Sequence, residues 1–405
     1  MSRLINIAIR RNLIYVILSM AFYFLRKVDL IIINYRYNVN DSLLFTLLML
    51  SGEFFAGISI FIYQNFNFKK DNIENKKYFG IELIQRKNKL NRRDSFPKIL
   101  LLIFFTSYYD FLEFLLSSFY MPKYPVLSPT ADSRFGGGII ILAAIICRYV
   151  LGIKILKHQY YSLIIIGICL IIITILEIIY RGIGASFSEF CFGYLIVLAY
   201  LVFVPITDVI EKYLMEFDFV NPFILLTLEA FFGFILVGIY SIGENPFRDI
   251  IRIYEKSTRG DFIFLIILLI AYFVLSAGSN TYRVLTNGLF SPMVKTLSVY
   301  ILNPIIYIYY FIIGIDFISG GERNWFYFIA NIIIALVISF FGCVFNEFLV
   351  LSFYGLDIET HFRISKRADD KMYSLDPLER IDSDPFYESK EESFTDSNLS
   401  IDKSK

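Results

Sequence analysis

The chain has 405 residues, of which 57% are hydrophobic and 18% aromatic, with 38 Lys and Arg against 37 Asp and Glu. Its mean hydropathy is +0.61. This apolar share is far above that of a soluble domain, and the near-zero net charge excludes a global basic field for nucleic acid.

Ten apolar runs are long enough to cross hydrocarbon, which predicts helices at roughly 12–34, 43–63, 98–119, 136–153, 160–180, 190–209, 220–242, 262–284, 290–313 and 326–351. Residues 1–11 form a basic N-terminus with Arg3, Arg10 and Arg11. The first run is too long for the apolar region of a cleavable signal, so it is expected to be retained. It carries Arg26, Lys27 and Asp29, and Arg26 and Asp29 are spaced to pair within one helix. The second run holds Glu53 in "LSGEFFAG", Leu50 to Gly57. Loop 64–97 follows, with ten basic residues between Lys69 and Lys98, a pattern able to bind anionic lipid. In the third run Asp110 and Glu113 share a face, suited either to a proton relay or, as the expected reading, to pairing with Arg148 or Arg283.

"LSP", Leu127 to Pro129, precedes the fourth run, which "GGG", Gly136 to Gly138, opens. Residues 181–189 link the fifth run to the sixth. The seventh holds Glu229 in "LTLEAFFG", Leu226 to Gly233. The eighth holds "SAGSNTYR", Ser276 to Arg283, a small and polar run suited to tight packing or to a hydrated wall. Asn280 and Tyr282 are its candidate substrate contacts. The ninth begins "FSP", Phe290 to Pro292, where Ser caps and Pro accepts the first helical position. Lys295, a turn further on, adds a fixed positive charge to a helix end that already favours anions. Thr296, Tyr300 and Asn303 follow, with Asn303 close to two turns beyond Lys295 and so on one side with it. Pro304 is placed to kink the span. The polar tail 356–405 is expected to be disordered, and its "DPF", Asp384 to Phe386, resembles an endocytic-adaptor ligand.

Loop Lys and Arg favour one side by roughly two to one, which puts both termini in the cytoplasm. Arg134 enters this count as a loop charge on the far side. The four cysteines, Cys147, Cys169, Cys191 and Cys343, lie in apolar runs without a CxxC pair and read as buried free thiols. Only His158 and His361 are present, both outside the runs, which leaves little for a metal or a membrane histidine catalyst. Tyr109-Asp110 is half of a presenilin-like protease pair whose GxGD partner is missing. No catalytic residue, metal or cofactor is assigned.

The two glutamate stretches carry Leu, Glu, Phe and Gly at the same offsets, five runs apart, and "LSP" and "FSP" repeat at the same distance in runs. An odd number of spans per copy inverts the second copy, so the expected fold is all-α and polytopic: ten transmembrane helices as two inverted five-helix repeats, 12–180 and 190–355. Glu53 and Glu229 then hold equivalent mid-membrane places, as structural or coupling carboxylates.

This plan resembles the drug/metabolite transporter superfamily. "EKYLMEFDFVNPFILLTLEAFFGF", Glu211 to Phe234, resembles the nucleotide-sugar-transporter-like solute carrier family 35, especially its F-type members, in a glutamate–lysine pair closing span six and a glutamate–aromatic–glycine motif in span seven. "SPMVKTLSVYILNP", Ser291 to Pro304, is similar to the start of span nine, where that superfamily has a lysine near the substrate cavity. The resemblance implies a solute transporter or exchanger working by alternating access, for a small organic anion or nucleotide-sugar-like metabolite. It also implies a multi-pass place in the Golgi, an endosome, a lysosome or the plasma membrane. The alternative is a transport-inactive scaffold that binds partners through its basic loop and acidic tail.

Overall fold

The computed structural model describes residues 5–7, 13–37, 39, 42–68, 95–121, 124, 131–181, 186–218, 220–243, 247–256, 258–314, 318–319, 322–351 and 360. The basic stretch from Lys69, the "LSP" stretch and the "DPF" tripeptide lie outside them, as does the tail apart from Thr360.

A helix covers each apolar run. The helices are α1 (Leu13–Tyr37), α2 (Ser42–Phe68), α3 (Phe96–Leu115, continued by a π turn, Leu116–Tyr120), the short α4 (Ala131–Arg134), α5 (Gly137–Val150), α6 (Lys157–Arg181), α7 (Phe187–Glu216), α8 (Pro222–Tyr240), the short α9 (Arg248–Lys256), α10 (Arg259–Leu289), α11 (Pro292–Tyr300), α12 (Asn303–Ile313) and α13 (Trp325–Phe345). Seven segments are long and apolar enough to cross a membrane, in α2, α6, α7, α8, α10, α11–α12 and α13. The others are shorter or more charged: α5 has 14 residues, α1 carries Arg26, Lys27 and Asp29, and α3 carries Lys98, Asp110 and Glu113. The described chain is thus compatible with an all-α polytopic membrane protein. The outward faces support this, since Ile164, Ile168, Ile171, Ile175 and Ile179 form an exposed stripe on α6. A stripe of that size suits lipid.

Local signals set the helix ends. Ser186 and Glu189 form a capping box at α7, and the Ser291 hydroxyl accepts from Val294 N at α11. Asn221 accepts from Phe223 N, with Pro222 in the first helical position of α8. The ninth run breaks at Ile301–Leu302, just before Pro304, whose missing N–H cannot continue the ladder.

The main bundle comprises residues 9–155 and 159–346. Within it α1 packs on α10 and α7 on α3; α2 packs on α8 and on α10; α8 packs on α3. In the same way α5 packs on α7, α1 on α11, and α5 on α11. Two sequence neighbours of the bundle, Leu156–His158 and the segment from Glu347, group with the N-terminal strand as a smaller unit. There β1 (Ile5–Ile7) pairs antiparallel with β4 (Leu349–Leu351), and buried His158 lies 3.4 Å from the Glu347 carboxylate. A two-stranded ribbon, β2 (Ile318–Ser319) with β3 (Glu322–Arg323), joins α12 to α13.

Candidate functional site

The two glutamate stretches lie against each other. α2 and α8 run antiparallel, so the first stretch meets the second head to tail. A Cβ on Gly233 would lie 2.7 Å from Leu50, and one on Gly57 would press on Thr227 and approach Phe223 O to 2.9 Å. The glycines therefore permit a close crossing, as small residues do between membrane helices. The equivalent hydroxyls Ser51 and Thr227 each bond the carbonyl four residues back, to Leu47 and Phe223. Phe55 and Phe231 both point outward, exposed, while Glu53 and Glu229 both point inward, buried.

Inside the bundle is a cavity of about 730 Å³. Glu53 and Glu229 stand in its wall. Its other walls come from the middle and later part of α1, the first third of α2, the end of α3, α4 and the start of α5, with the middle of α7 and α10 and with α11–α12. The cavity therefore reaches toward the end of the bundle at which α1 passes into α2. At the opposite end Ile99, Ile103, Leu214, Met215, Leu225 and Leu226 pack into an apolar plug.

Between plug and cavity lies an ionic network that ties α7 to α10 and α11. Lys295 Nζ donates to both oxygens of Asp208, at 2.7 and 2.9 Å. Arg283 lies 2.8 Å from Glu211, 3.8 Å from Asp208 and 4.0 Å from Glu229. Asn287 Nδ2 donates to Glu211 and to the Asp208 carbonyl, both at 2.8 Å, and Lys212 Nζ donates to Gly288 O at 2.8 Å. Asp208 and Glu211 have no exposed surface, so their charges stand only because cations meet them.

This corrects the reading of Lys295. It does line the cavity, but it is not a free fixed charge, because Asp208 holds it by both oxygens. Asp208 was missed in the sequence. The available signal was its spacing three residues before Glu211, which puts both carboxylates on one face of the sixth run. Glu211 and Lys212 were visible as the glutamate–lysine pair, and Arg283 as an expected counter-ion.

Of the other candidates, Thr296, Tyr300, Asn303 and Asn280 all line the cavity and are buried. Asn303 Nδ2 donates to Ser133 O at 2.8 Å, and Asn280 Nδ2 donates to Glu53. Tyr282 is elsewhere, since its ring stacks on Phe22 of α1 with centroids 5.5 Å apart. Glu53 thus bonds from α2 to α10. Asp110 and Glu113 line the cavity side by side, with no hydrogen-bond or ion-pair partner among the described residues. Arg283 instead pairs with Glu211, and Arg148 is exposed.

Three further expectations change. Arg26 does not pair with Asp29. Its guanidinium donates to Met49 Sδ at 3.5 Å and lies over the Tyr23 ring, while Asp29 Oδ2 is buried without a partner. Arg134 is no loop charge, because it has no exposed surface, pairs with Glu177, donates to Tyr327 Oη and lies over that ring. Three helix ends, those of α4, α6 and α13, converge there, which a count of charges along the chain cannot reveal. Among the thiols, Cys147 and Cys169 are buried, Cys343 is partly exposed and Cys191 faces outward.

A scan against protein-family models finds no match, and a search of curated proteins finds none either.

Proposed function

We propose that this chain is a solute transporter or exchanger of the drug/metabolite type, built as ten transmembrane helices in two inverted five-helix repeats, with both termini cytoplasmic. One observation carries the reading: a cavity of about 730 Å³, within the range of about 300–1,000 Å³ typical of small-molecule sites, is walled by ionisable side chains and closed at one end. Charge in a membrane interior is costly and marks pathways for solutes or ions.

The packing supports the repeat. Exchanging each run with the one five places away turns α1 on α10 into α7 on α3, α2 on α10 into α8 on α3, and α5 on α7 into α11 on α1. It returns α2 on α8 and α5 on α11 to themselves. The exchange fails at α7 on α10, where the ionic network sits, and also at α8 on α10, α10 on α11, α7 on α11 and the α11–α12 span on α13. A cavity closed at one end by a charged network suits alternating access, in which one side opens while a network on the other is made. In this reading the structure is open toward the non-cytoplasmic side, and the Asp208–Lys295 and Glu211–Arg283 pairs form part of the cytoplasmic closure. The membrane would be that of the Golgi, an endosome or a lysosome, or the plasma membrane.

The expected anionic substrate would meet Lys295 at the start of α11, where Asp208 holds it by both oxygens. Counterflow by the purified chain in liposomes tests the proposal. Exchange of a labelled solute that the empty liposomes lack supports it. A folded protein that exchanges none of a panel of nucleotide sugars, organic anions, amines and amino acids overturns it in favour of a scaffold.

A further inference from the structure

Once the two ion pairs are set aside, the cavity is unbalanced. Its wall holds Glu53, Asp110, Glu113 and Glu229 against Arg26, Lys27, Arg283 and Lys295. Arg283 and Lys295 are already claimed by Glu211 and Asp208, which stand behind the wall. Arg283 also stands 4.0 Å from Glu229, so the four carboxylates still outnumber the cations left to them, and Arg26 and Lys27 both lie over the Tyr23 ring, at 5.6 and 5.8 Å.

Three independent features of the same wall point to what would fill it. Glu229 is 3% exposed, and neither of its oxygens accepts a hydrogen bond. The Tyr300 hydroxyl, in a residue 2% exposed, also has no partner. Unsatisfied polar atoms at such burial are costly unless a ligand or water completes them. Finally, Phe111, Phe114, Tyr272 and Tyr310 line the same cavity, the first two next to Asp110 and Glu113 in the chain. Ring faces attract cations and are indifferent or repulsive to anions, as Tyr23 already shows in this cavity.

We infer that the solute of this cavity bears a positive charge: an organic ammonium, with Asp110 and Glu113 as its counter-ion and the aromatic wall as its seat. The inference rests on the transport reading above and names its substrate class. An anion would meet the same carboxylates, with Arg283 and Lys295 already held by Glu211 and Asp208.

The test uses the full chain in lipid nanodiscs and two probes of equal ring size and opposite charge, benzyltrimethylammonium and benzenesulfonate, followed by titration calorimetry. The ammonium should bind at least about tenfold more tightly than the sulfonate. Asp110→Asn combined with Glu113→Gln should weaken ammonium binding by about tenfold or more while the unfolding midpoint stays near that of the wild type. Equal binding of both probes, tighter sulfonate binding, no ammonium binding, or an unaffected double variant each overturns the inference. Should the variant not fold, the wild-type comparison decides alone. Ammonium binding without flux in liposomes would sink the transport reading and leave this inference standing. Flux of a sulfonate or nucleotide sugar without ammonium binding would do the reverse.

Discussion

Replacing Lys295 by Ala separates the structure from the simpler picture of a lysine facing cavity water. A free cavity lysine could be truncated with little effect on folding. In the structure its ammonium closes a two-oxygen contact, 2.7 and 2.9 Å, on an Asp208 carboxylate with no exposed surface. Removing one partner of a buried pair costs about 3–5 kcal/mol, and Arg283 remains 3.8 Å away as a second cation, so the lower end applies, about 3 kcal/mol. Asp208→Asn strands an ammonium that still has 11% of its side chain exposed, and should cost less, about 1–2 kcal/mol. The double variant Asp208→Asn, Lys295→Ala removes both charges and should lie within about 2 kcal/mol of the wild type. The expected coupling is about 2 kcal/mol or more. Unfolding by SDS in mixed micelles measures all four corners of the cycle. If Lys295→Ala unfolds with the wild type, or the two single effects simply add, the pair is not formed and the gate argument falls with it.

Gly57→Ala should destabilise more than Gly233→Ala. The added Cβ meets a fixed carbonyl, Phe223 O at 2.9 Å, in the first case and the movable end of Leu50 in the second. The costs are about 2 kcal/mol and near zero after the helix-propensity gain of about 1 kcal/mol, and a reversed order in thermal unfolding would contradict the crossing. Asn280→Leu leaves the buried Glu53 carboxylate without its donor and should lose about 1–3 kcal/mol, whereas Glu53→Gln, which keeps an oxygen acceptor, should lose less than about 1 kcal/mol. Equal losses would remove that bond from the account. Arg134→Met should lose at least about 3 kcal/mol by stranding Glu177, with part recovered in Arg134→Met, Glu177→Leu. A near-neutral Arg134→Met in the same assay would return that arginine to the loop-charge count.

Hydrophobic run length and local capping chemistry placed the helices. Every apolar run became a helix because lipid-scale runs leave backbone groups no partner but their own chain. Ser186, Asn221, Ser291 and Pro304 did locally what such residues do in short peptides. The matched offsets of "LSGEFFAG" and "LTLEAFFG" were legible in the sequence, and the structure sets the two stretches against each other at Gly57 and Gly233. Partner choice was not legible. Asp208 and Lys295 are 87 residues apart and Glu53 and Asn280 are 227 apart, and nothing in either neighbourhood names the other. Spacing along a helix shows which face a charge occupies, but only the packing of α7 against α10 and α11 decides which opposite charge that face meets. The same holds for Arg134, a loop residue by sequence and a fully buried one in space, because burial belongs to the three helix ends that converge on it and not to the residue itself.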